Sequence, residues 1–161
     1  MNETVICIDP GSSGTGVALW HKVDWDAQME IFEKGMCYAI PIFHGNVYNE
    51  HKILYFMEKA IMKFNITQAY IEDAAYMGST AKGMMVARRG NLIVLAEFIG
   101  KIQNTFYKAG VPTELVSVAK WKGTMSKEAV IKRAKKRLPD TLADKHAWDA
   151  LAIGLYKMGL F

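Results

Sequence analysis

Three stretches of the sequence place ionisable side chains directly beside apolar residues. Asp9 follows the apolar run V5-I6-C7-I8, Glu72 ends a short apolar run, and His146 and Asp149 stand three residues apart in H146-A147-W148-D149-A150-L151-A152-I153. Burying an unpaired carboxylate is costly, so each one needs a metal ion, a Lys or Arg, or donors from a turn as its partner. Carboxylates and imidazole are also side chains that bind metal ions and transfer protons.

The residues around Asp9 predict a strand that ends in a turn. Residues 4–9 have the apolar, β-branched character of a buried strand, residues 10–14 are rich in turn formers, and residues 15–22 are apolar again. Asp9 would then project from a central strand into a mouth lined by backbone N–H groups. In an alternative interpretation Asp9 only caps the turn. The glycine spacing is similar to that of phosphate-cradling loops, but no Lys follows it as in a P-loop.

The rest of the chain alternates between strand and helix patterns. Further strands are predicted over about 29–40, 68–72 and 113–118, and residues 119–125 form a basic loop. Helices are predicted over about 46–64, 80–108, from the N-cap Ser126 to before Pro139, and 144–158, with Asp144 as a candidate N-cap. This order predicts an α/β fold, a mixed five-stranded sheet flanked by helices, in one domain over residues 1–161.

These predicted elements bring the four ionisable residues towards one end of the sheet. Asp9 and Glu72 each end a strand, and His146 and Asp149 share one face of a helix. The carboxylates would repel one another unless divalent cations were bound between them. Two metal ions about 3.5 to 4 Å apart, held by shared carboxylates, form a recurrent arrangement for cutting phosphodiesters. Taken alone, the His146–Asp149 pair is more often a structural hydrogen-bonded feature than a site.

Composition narrows the class of protein. The chain has 161 residues and 51% hydrophobic residues, enough for a folded core. No apolar run reaches the roughly 18 residues that span a bilayer, and no basic segment precedes a signal-like run, so we expect no membrane association and a cytoplasmic location. Cys7 and Cys37 lack metal-type spacing and are predicted to be buried thiols.

Positive charge is concentrated in one segment. Residues 120–137 contain eight basic residues and one acidic residue, so this segment carries +7 while the rest of the chain carries −3. Such a patch on a near-neutral body suits a polyanion such as nucleic acid. A solvated helix face is an equally good explanation of the charge alone.

Four motifs together resemble the RuvC family of Holliday-junction resolvases. They are I8-D9-P10-G11-S12-S13-G14-T15-G16, I71-E72-D73-A74-A75-Y76-M77, V86-A87-R88-R89-G90-N91-L92 and the segment H146-A147-W148-D149-A150-L151-A152-I153. The resemblance covers nearly the whole chain in order. It implies an RNase H-like fold, a homodimer, divalent-metal catalysis and paired nicks across a four-way DNA junction, with roles in DNA recombination and repair. The compact form is similar to phage or prophage members, which implies a bacterial or phage-infected cell.

The resemblance also implies roles for individual residues. Asp9, Glu72, His146 and Asp149 match the catalytic, metal-binding positions, which would hold two Mg²⁺ or Mn²⁺ ions. Lys120 and Lys127 lie where family members place lysines near the scissile phosphate, with Lys122 as the alternative to Lys120. The predicted DNA-binding residues are Tyr76, Lys82, Arg88, Arg89, Lys120, Lys122, Lys127, Lys132 and Lys135. The predicted dimer interface is the apolar helix with Met84, Val86, Leu92, Leu95, Phe98 and Ile99, some of which must also serve the core.

Three other functions remain open at this stage. A less selective flap or branched-DNA nuclease would use the same chemistry with a different docking surface. A non-enzymatic RNase H-like protein would bind nucleic acid without the metal site, which the intact acidic set argues against. A sugar-kinase or actin-like ATPase also has Asp and glycines after its first strand, but needs two such domains.

Overall fold

The computed structural model describes residues 3–11, 14–25, 29–40, 43–44, 47–48, 50–73, 91–141, 143 and 145–161. Its strands are β1 Thr4–Pro10, β2 Thr15–Trp25, β3 Met29–Ile40, β4 Phe43–His44, β5 Val47–Tyr48, β6 Ile66–Glu72 and β7 Thr113–Val116. Its helices are α1 Glu50–Lys63, α2 Asn91–Lys108, α3 Val118–Trp121, α4 Lys127–Lys135 and α5 Lys145–Lys157. None of the described helices is long and apolar enough to cross a membrane.

Five of the strands form one mixed sheet in the order β3-β2-β1-β6-β7. The hairpin strands β1, β2 and β3 pair antiparallel, whereas β1, β6 and β7 run parallel. The predicted mixed five-stranded sheet is therefore confirmed. Because parallel strands end at the same edge of a sheet, the carboxyl ends of β1, β6 and β7 lie side by side.

Alternating side chains of β1 face two different helical layers. Ile6 and Ile8 belong to the core beneath α1 and α2, whereas Cys7 belongs to the core beneath α4 and α5. Residues 5–8 of the strand are all apolar because both of its faces are covered. Cys7 is a free, fully buried thiol, as predicted, and burial raises its pKa. The side chain of Cys37 lies outside the described residues.

The boundaries of some elements differ from the predicted ones because the local sequence favours another secondary structure there. The first helix begins at Glu50 rather than near residue 46, because Val47 and Tyr48, which favour strands, pair with β4 instead. The predicted basic loop contains the short helix α3, which starts where the Ser117 carbonyl accepts the backbone N–H groups of Lys120 and Trp121. The described part of the long predicted helix is α2, and the predicted Asp144 cap lies outside the described residues.

Helix α5 lies unusually close to the sheet, and a glycine in β2 permits this. A Cβ atom at Gly16 would meet the carbonyl group of His146 and the backbone nitrogen of Ala147. Both obstacles are main-chain atoms, so no side-chain rotation relieves the contact. Every residue of α5 from 147 to 155 is buried. Close approach at Gly16 therefore fixes the height of α5, and of its side chains, above β1 and β2.

We predict that Gly16→Ala lowers the free energy of unfolding by about 3 kcal/mol or more, because the helix must move away from the sheet. Gly100→Ala is the matched control, since Gly100 is exposed in α2 and a Cβ there meets no atom within 4 Å. That change should raise stability by about 0.5 to 1 kcal/mol. Urea unfolding followed by circular dichroism measures both, and a Gly16→Ala protein as stable as wild type would contradict the packing account.

Candidate active site

The parallel strands bring Asp9 and Glu72 to one edge of the sheet. Ile8 of β1 is aligned with Ile71 of β6, so the next residue of each strand is acidic. The alternation along β1 and β6 places Asp9 with Cys7, and Glu72 with Tyr70, on the sheet face that α4 and α5 cover. Two carboxylates on neighbouring strands therefore face the same helical layer.

Helix α5 adds His146 to this edge. The His146 Nδ1 atom lies 3.5 Å from Oδ2 of Asp9, and the imidazole is about one quarter exposed. On its other side the ring packs against the glycine turn, since a Cβ atom at Gly14 would lie 3.1 Å from Cδ2 of His146. The glycines predicted to form a turn thus make room for the imidazole and for the helix that carries it.

Asp149 lies one turn further along α5 and is only 5% exposed. Lys127 at the start of α4 places its Nζ atom 2.9 Å from Asp149 Oδ2, and Lys122 places its Nζ atom 3.9 Å from Oδ1. Oδ1 has no hydrogen-bond partner among the described residues. A buried carboxylate oxygen without a hydrogen bond is expensive unless something else balances its charge. The two lysines supply that charge.

Ser126 explains why Lys127 is in place. Its side-chain oxygen accepts the backbone N–H of Ala129 at 3.2 Å, which confirms the predicted N-cap of α4. Lys127 is the first residue of that helix. The buried residues Val130 and Ala134 form the inner face of the helix. The cap therefore starts the helix at the residue whose ammonium group reaches Asp149.

Glu72 is held at the centre of this charge cluster. Its Oε2 atom accepts the indole N–H of Trp121 at 3.0 Å. Burial, followed by the nearby charges of Asp9 and Asp149, raises the Glu72 pKa from 4.5 to about 8. Burial and Asp9 likewise raise the pKa of Asp149, against the lowering effect of Lys127 and Lys122. Negative charge is therefore disfavoured here without a cation.

This donor set fits divalent metal ions. Carboxylate oxygens suit Mg²⁺, and an imidazole added to them suits Mn²⁺. As the side chains stand, no three His, Cys, Asp or Glu residues in the described part of the chain converge on one ion position. The Lys127 ammonium group contacts Asp149 Oδ2 in this arrangement. The buried, hydrogen-bond-free Oδ1 of Asp149 and the mutually repelling carboxylates are the features that a cation would satisfy.

The lysines of the basic segment divide into two groups. Lys122 and Lys127 lie in the site, whereas Lys120 is exposed and makes no described contact with the carboxylates. Of Lys120 and Lys122, Lys122 is the one that lies beside the carboxylates. Lys132 and Lys135 are exposed on α4. Four predicted DNA-binding residues lie outside the described residues: Tyr76, Lys82, Arg88 and Arg89.

Part of the helix predicted to form the dimer interface serves the core, as expected. Phe98 is fully buried and Ile99 is 4% exposed, so both belong to the core between α2 and the sheet. The large apolar side chains of α2 that reach solvent near its start are instead Ile93 and Val94, at 66% and 44% exposure. Leu92 and Leu95 are half-buried, and Met84 and Val86 lie outside the described residues. Apolar character alone did not separate the two faces of this helix.

The charge pattern predicts a basic loop over residues 119–125 and gives Trp121 no role in the site. The ring is 3% exposed and packs in the core between the sheet and α5. The sequence does contain a signal, which is a large aromatic residue between Lys120 and Lys122. Tryptophan is highly buried on average, so it is unexpected in a solvated loop.

The fold has counterparts among solved structures, although no family model and no curated protein matches the chain. The structure of RuvC from Thermus thermophilus gives a TM-score of 0.66 at 17% identity, covering 98% of this chain and 97% of that one. The same RuvC in complex with a Holliday junction substrate gives 0.67 at 16% identity, with the same coverage. The Fowlpox virus resolvase in complex with Holliday junction DNA gives 0.57 at 12% identity, covering 98% and 99%. The chain therefore has a RuvC-like resolvase fold, which confirms the predicted RNase H-like architecture.

The raised pKa of Glu72 predicts how the metal-free protein responds to pH. The folded state binds this proton more tightly than the unfolded state does, so the stabilisation is complete below pH 4.5 and is lost as pH rises towards 8. In EDTA, the free energy of unfolding should fall between pH 5 and pH 8, by at most about 1.4 kcal/mol per pH unit for this group. Asp149 acts in the same direction.

Urea titrations across this pH range measure the effect. Glu72→Gln should make the slope shallower, whereas Glu58→Gln, at an exposed position of α1, should leave it unchanged. A stability that stays constant or rises from pH 5 to pH 8 would show that Glu72 is not held in a buried site beside other carboxylates.

Proposed function

We propose that this protein is a divalent-metal-dependent endonuclease that cuts branched DNA, with four-way junctions as its main substrate. The observation that carries the proposal is that Asp9, Glu72, His146 and Asp149 lie near one another at one edge of the sheet, beside two lysines. The RuvC-like fold supports the same function, because the structures it resembles are resolvases, two of them in complex with Holliday junction DNA.

The four clustered residues would hold the metal ions, Mg²⁺ or Mn²⁺. When bound, such ions neutralise developing charge on the phosphate and generate the attacking nucleophile from water. The protein supplies fixed ligands for this purpose: Asp9 and Glu72 on rigid parallel strands, His146 and Asp149 on a helix whose height is set at Gly16. Ligands on packed strands and helices keep their geometry better than ligands on loops.

Lys127 and Lys122 are the residues that would contact the phosphate. Lys127 is about one third exposed while bonded to Asp149, so its ammonium group stands at the boundary between the site and solvent. An ammonium group there can donate to a phosphate oxygen and stabilise negative charge in the transition state. Lys122 lies deeper, at 19% exposure, and balances Asp149 and Glu72.

The exposed cations of α4 would hold the DNA backbone further from the reaction. Lys132 and Lys135 lie on the same helix as Lys127 and reach solvent. Contacts of this kind fix the position of DNA without reading its sequence and make binding sensitive to salt. The α4 helix would therefore lead a strand towards the carboxylate cluster.

Paired nicks require two active sites, so we propose a homodimer. The contact would use the exposed apolar side chains of Ile93 and Val94 at the start of α2. A symmetric dimer would place one site on each of two opposing strands. We place this activity in the cytoplasm of a bacterial or phage-infected cell and assign residues 1–161 to one nuclease domain.

Cleavage of labelled DNA tests the proposal. Wild-type protein should cut a four-way junction in Mg²⁺ or Mn²⁺ and not in EDTA, and should cut linear duplex poorly. Cleavage of a flap at the same rate would favour the less selective branched-DNA nuclease. Absence of cleavage with either metal would contradict the proposal.

Glu72→Gln should abolish cleavage while junction affinity stays near wild type. The change removes a ligand charge, whereas affinity depends mainly on phosphate contacts made elsewhere. Gel-shift titration in EDTA gives the affinity, and single-turnover cleavage should slow by at least about 100-fold. Glu58→Gln is the control and should cut normally. An equal loss of binding and cleavage would assign Glu72 a structural role.

Lys127→Ala and Lys132→Ala should separate the two groups of lysines. Lys127→Ala should slow cleavage by about 100-fold with little change in affinity, since it acts on charge at the scissile phosphate. Lys132→Ala should weaken junction binding and reduce the slope of log affinity against log salt by about one, with the rate at saturation unchanged. If the two variants behave alike, the lysines form only a generic basic surface.

A further inference from the structure

We propose that Trp121 is a positioning residue, which fixes the Glu72 carboxylate for metal binding by donating its indole N–H to Oε2. The inference rests on the proposed function, because it concerns how that site holds its cations. Trp121 and Glu72 are 49 residues apart. Glu72 ends β6, and Trp121 ends the short helix that follows the neighbouring strand β7. The bond therefore ties two elements together at the reactive edge of the sheet.

The indole ring is itself rigidly held. It is 3% exposed, and the ring of Phe161 packs edge-on against it at a centroid distance of 5.8 Å. Its backbone N–H donates to the Ser117 carbonyl at 3.2 Å, in the short helix that follows β7. A side chain that is buried and packed in this way has one orientation, so its N–H group points in one direction. That direction is towards Glu72 Oε2.

The chemistry of the donor suits a metal ligand. An indole N–H donates a hydrogen bond and cannot accept one, so the pair has only one arrangement. It carries no net charge, and therefore orients the carboxylate without competing electrostatically with a cation. Lys122 differs in this respect, since its ammonium group lies near Asp149 and is itself a cation.

Glu72 needs such a restraint because its neighbours push it away. Asp9 and Asp149 both disfavour its charged form. A glutamate has three side-chain torsions, and repulsion by two carboxylates would drive it towards solvent if nothing held it. The Trp121 bond opposes that movement and keeps the carboxylate at the cluster before a metal ion arrives. Hydrogen bonds to ligands of this kind typically change metal affinity by about 10- to 100-fold.

The chain contains a matched control for this hydrogen bond. Trp20 is also buried, at 2% exposure, but its indole nitrogen has no hydrogen-bond partner among the described residues. Trp→Phe at either position removes the same atoms from an apolar core. Only at Trp121 does the change also remove a hydrogen bond to a metal ligand.

Calorimetric titration with Mn²⁺ tests the inference on wild type, Trp121→Phe and Trp20→Phe. Trp121→Phe should raise the dissociation constant for Mn²⁺ by about 10-fold or more. Trp20→Phe should change it by less than about twofold. Junction affinity in EDTA should match wild type for both variants, and saturating Mn²⁺ should restore most of the cleavage rate of Trp121→Phe. This rescue by metal is a result that a purely structural defect would not give.

Several outcomes would overturn the inference or separate it from the proposed function. Equal Mn²⁺ affinity in the two variants would show that Trp121 is a packing residue only. Loss of junction binding in EDTA with Trp121→Phe would show general damage rather than positioning. A wild-type protein that binds no Mn²⁺ would overturn the proposed function and this inference with it. A wild-type protein that cuts junctions, with a Trp121→Phe variant of unchanged Mn²⁺ affinity, would overturn the inference alone.

Nuclear magnetic resonance supplies a test that needs no folded Trp121 variant. The chain has four tryptophans, so the Trp121 indole signal is identified by elimination with Phe variants of the other three. Addition of Mg²⁺ should shift the Trp121 indole proton more than that of Trp20. An unmoved Trp121 signal in protein that binds Mg²⁺ would contradict the proposal.

Discussion

Carboxylates at one end of the sheet repel one another, and this repulsion determines which residues surround them. Asp9 and Glu72 end neighbouring parallel strands, and Asp149 joins them from α5 with 5% of its surface exposed. Such a group of like charges is unfavourable in a protein interior unless each one is balanced. The surrounding residues supply that balance: Lys127 and Lys122 bring positive charge, and Trp121 brings a neutral donor.

The same constraint explains why packing around α5 is so tight. His146 and Asp149 reach the carboxylates only if their helix lies close to β2, and Gly16 permits that approach by having no Cβ atom. Gly154 also permits close packing further along the helix, because a Cβ atom there would collide with the Trp20 ring. The glycines near Asp9 therefore have a structural role towards the helix, which sets where the site residues stand. Stability and site geometry depend on the same contacts.

Much of this arrangement was predictable from the sequence because it follows from short-range periodicity. The end of an apolar run located Asp9 and Glu72 at strand ends, and three-residue spacing put His146 and Asp149 on one helix face. Periodicity does not predict which distant backbone segments come close to each other. Three features depend on contacts between distant segments. They are the close approach of α5 at Gly16, the bond from Trp121 to Glu72, and the position of Lys122 beside Asp149. Burial of Phe98 and Ile99 depends equally on the tertiary position of α2.

We propose that the carboxylate cluster exists to hold divalent cations, and that the lysines balance it only in their absence. A crystal structure with Mn²⁺, located by its anomalous scattering, tests this proposal. Mn²⁺ should be bound by Asp9, Glu72, His146 and Asp149, with the Lys127 Nζ atom moved away from Asp149 Oδ2. A structure in Mn²⁺ with no anomalous signal at these residues, and with Lys127 still bonded to Asp149, would contradict it.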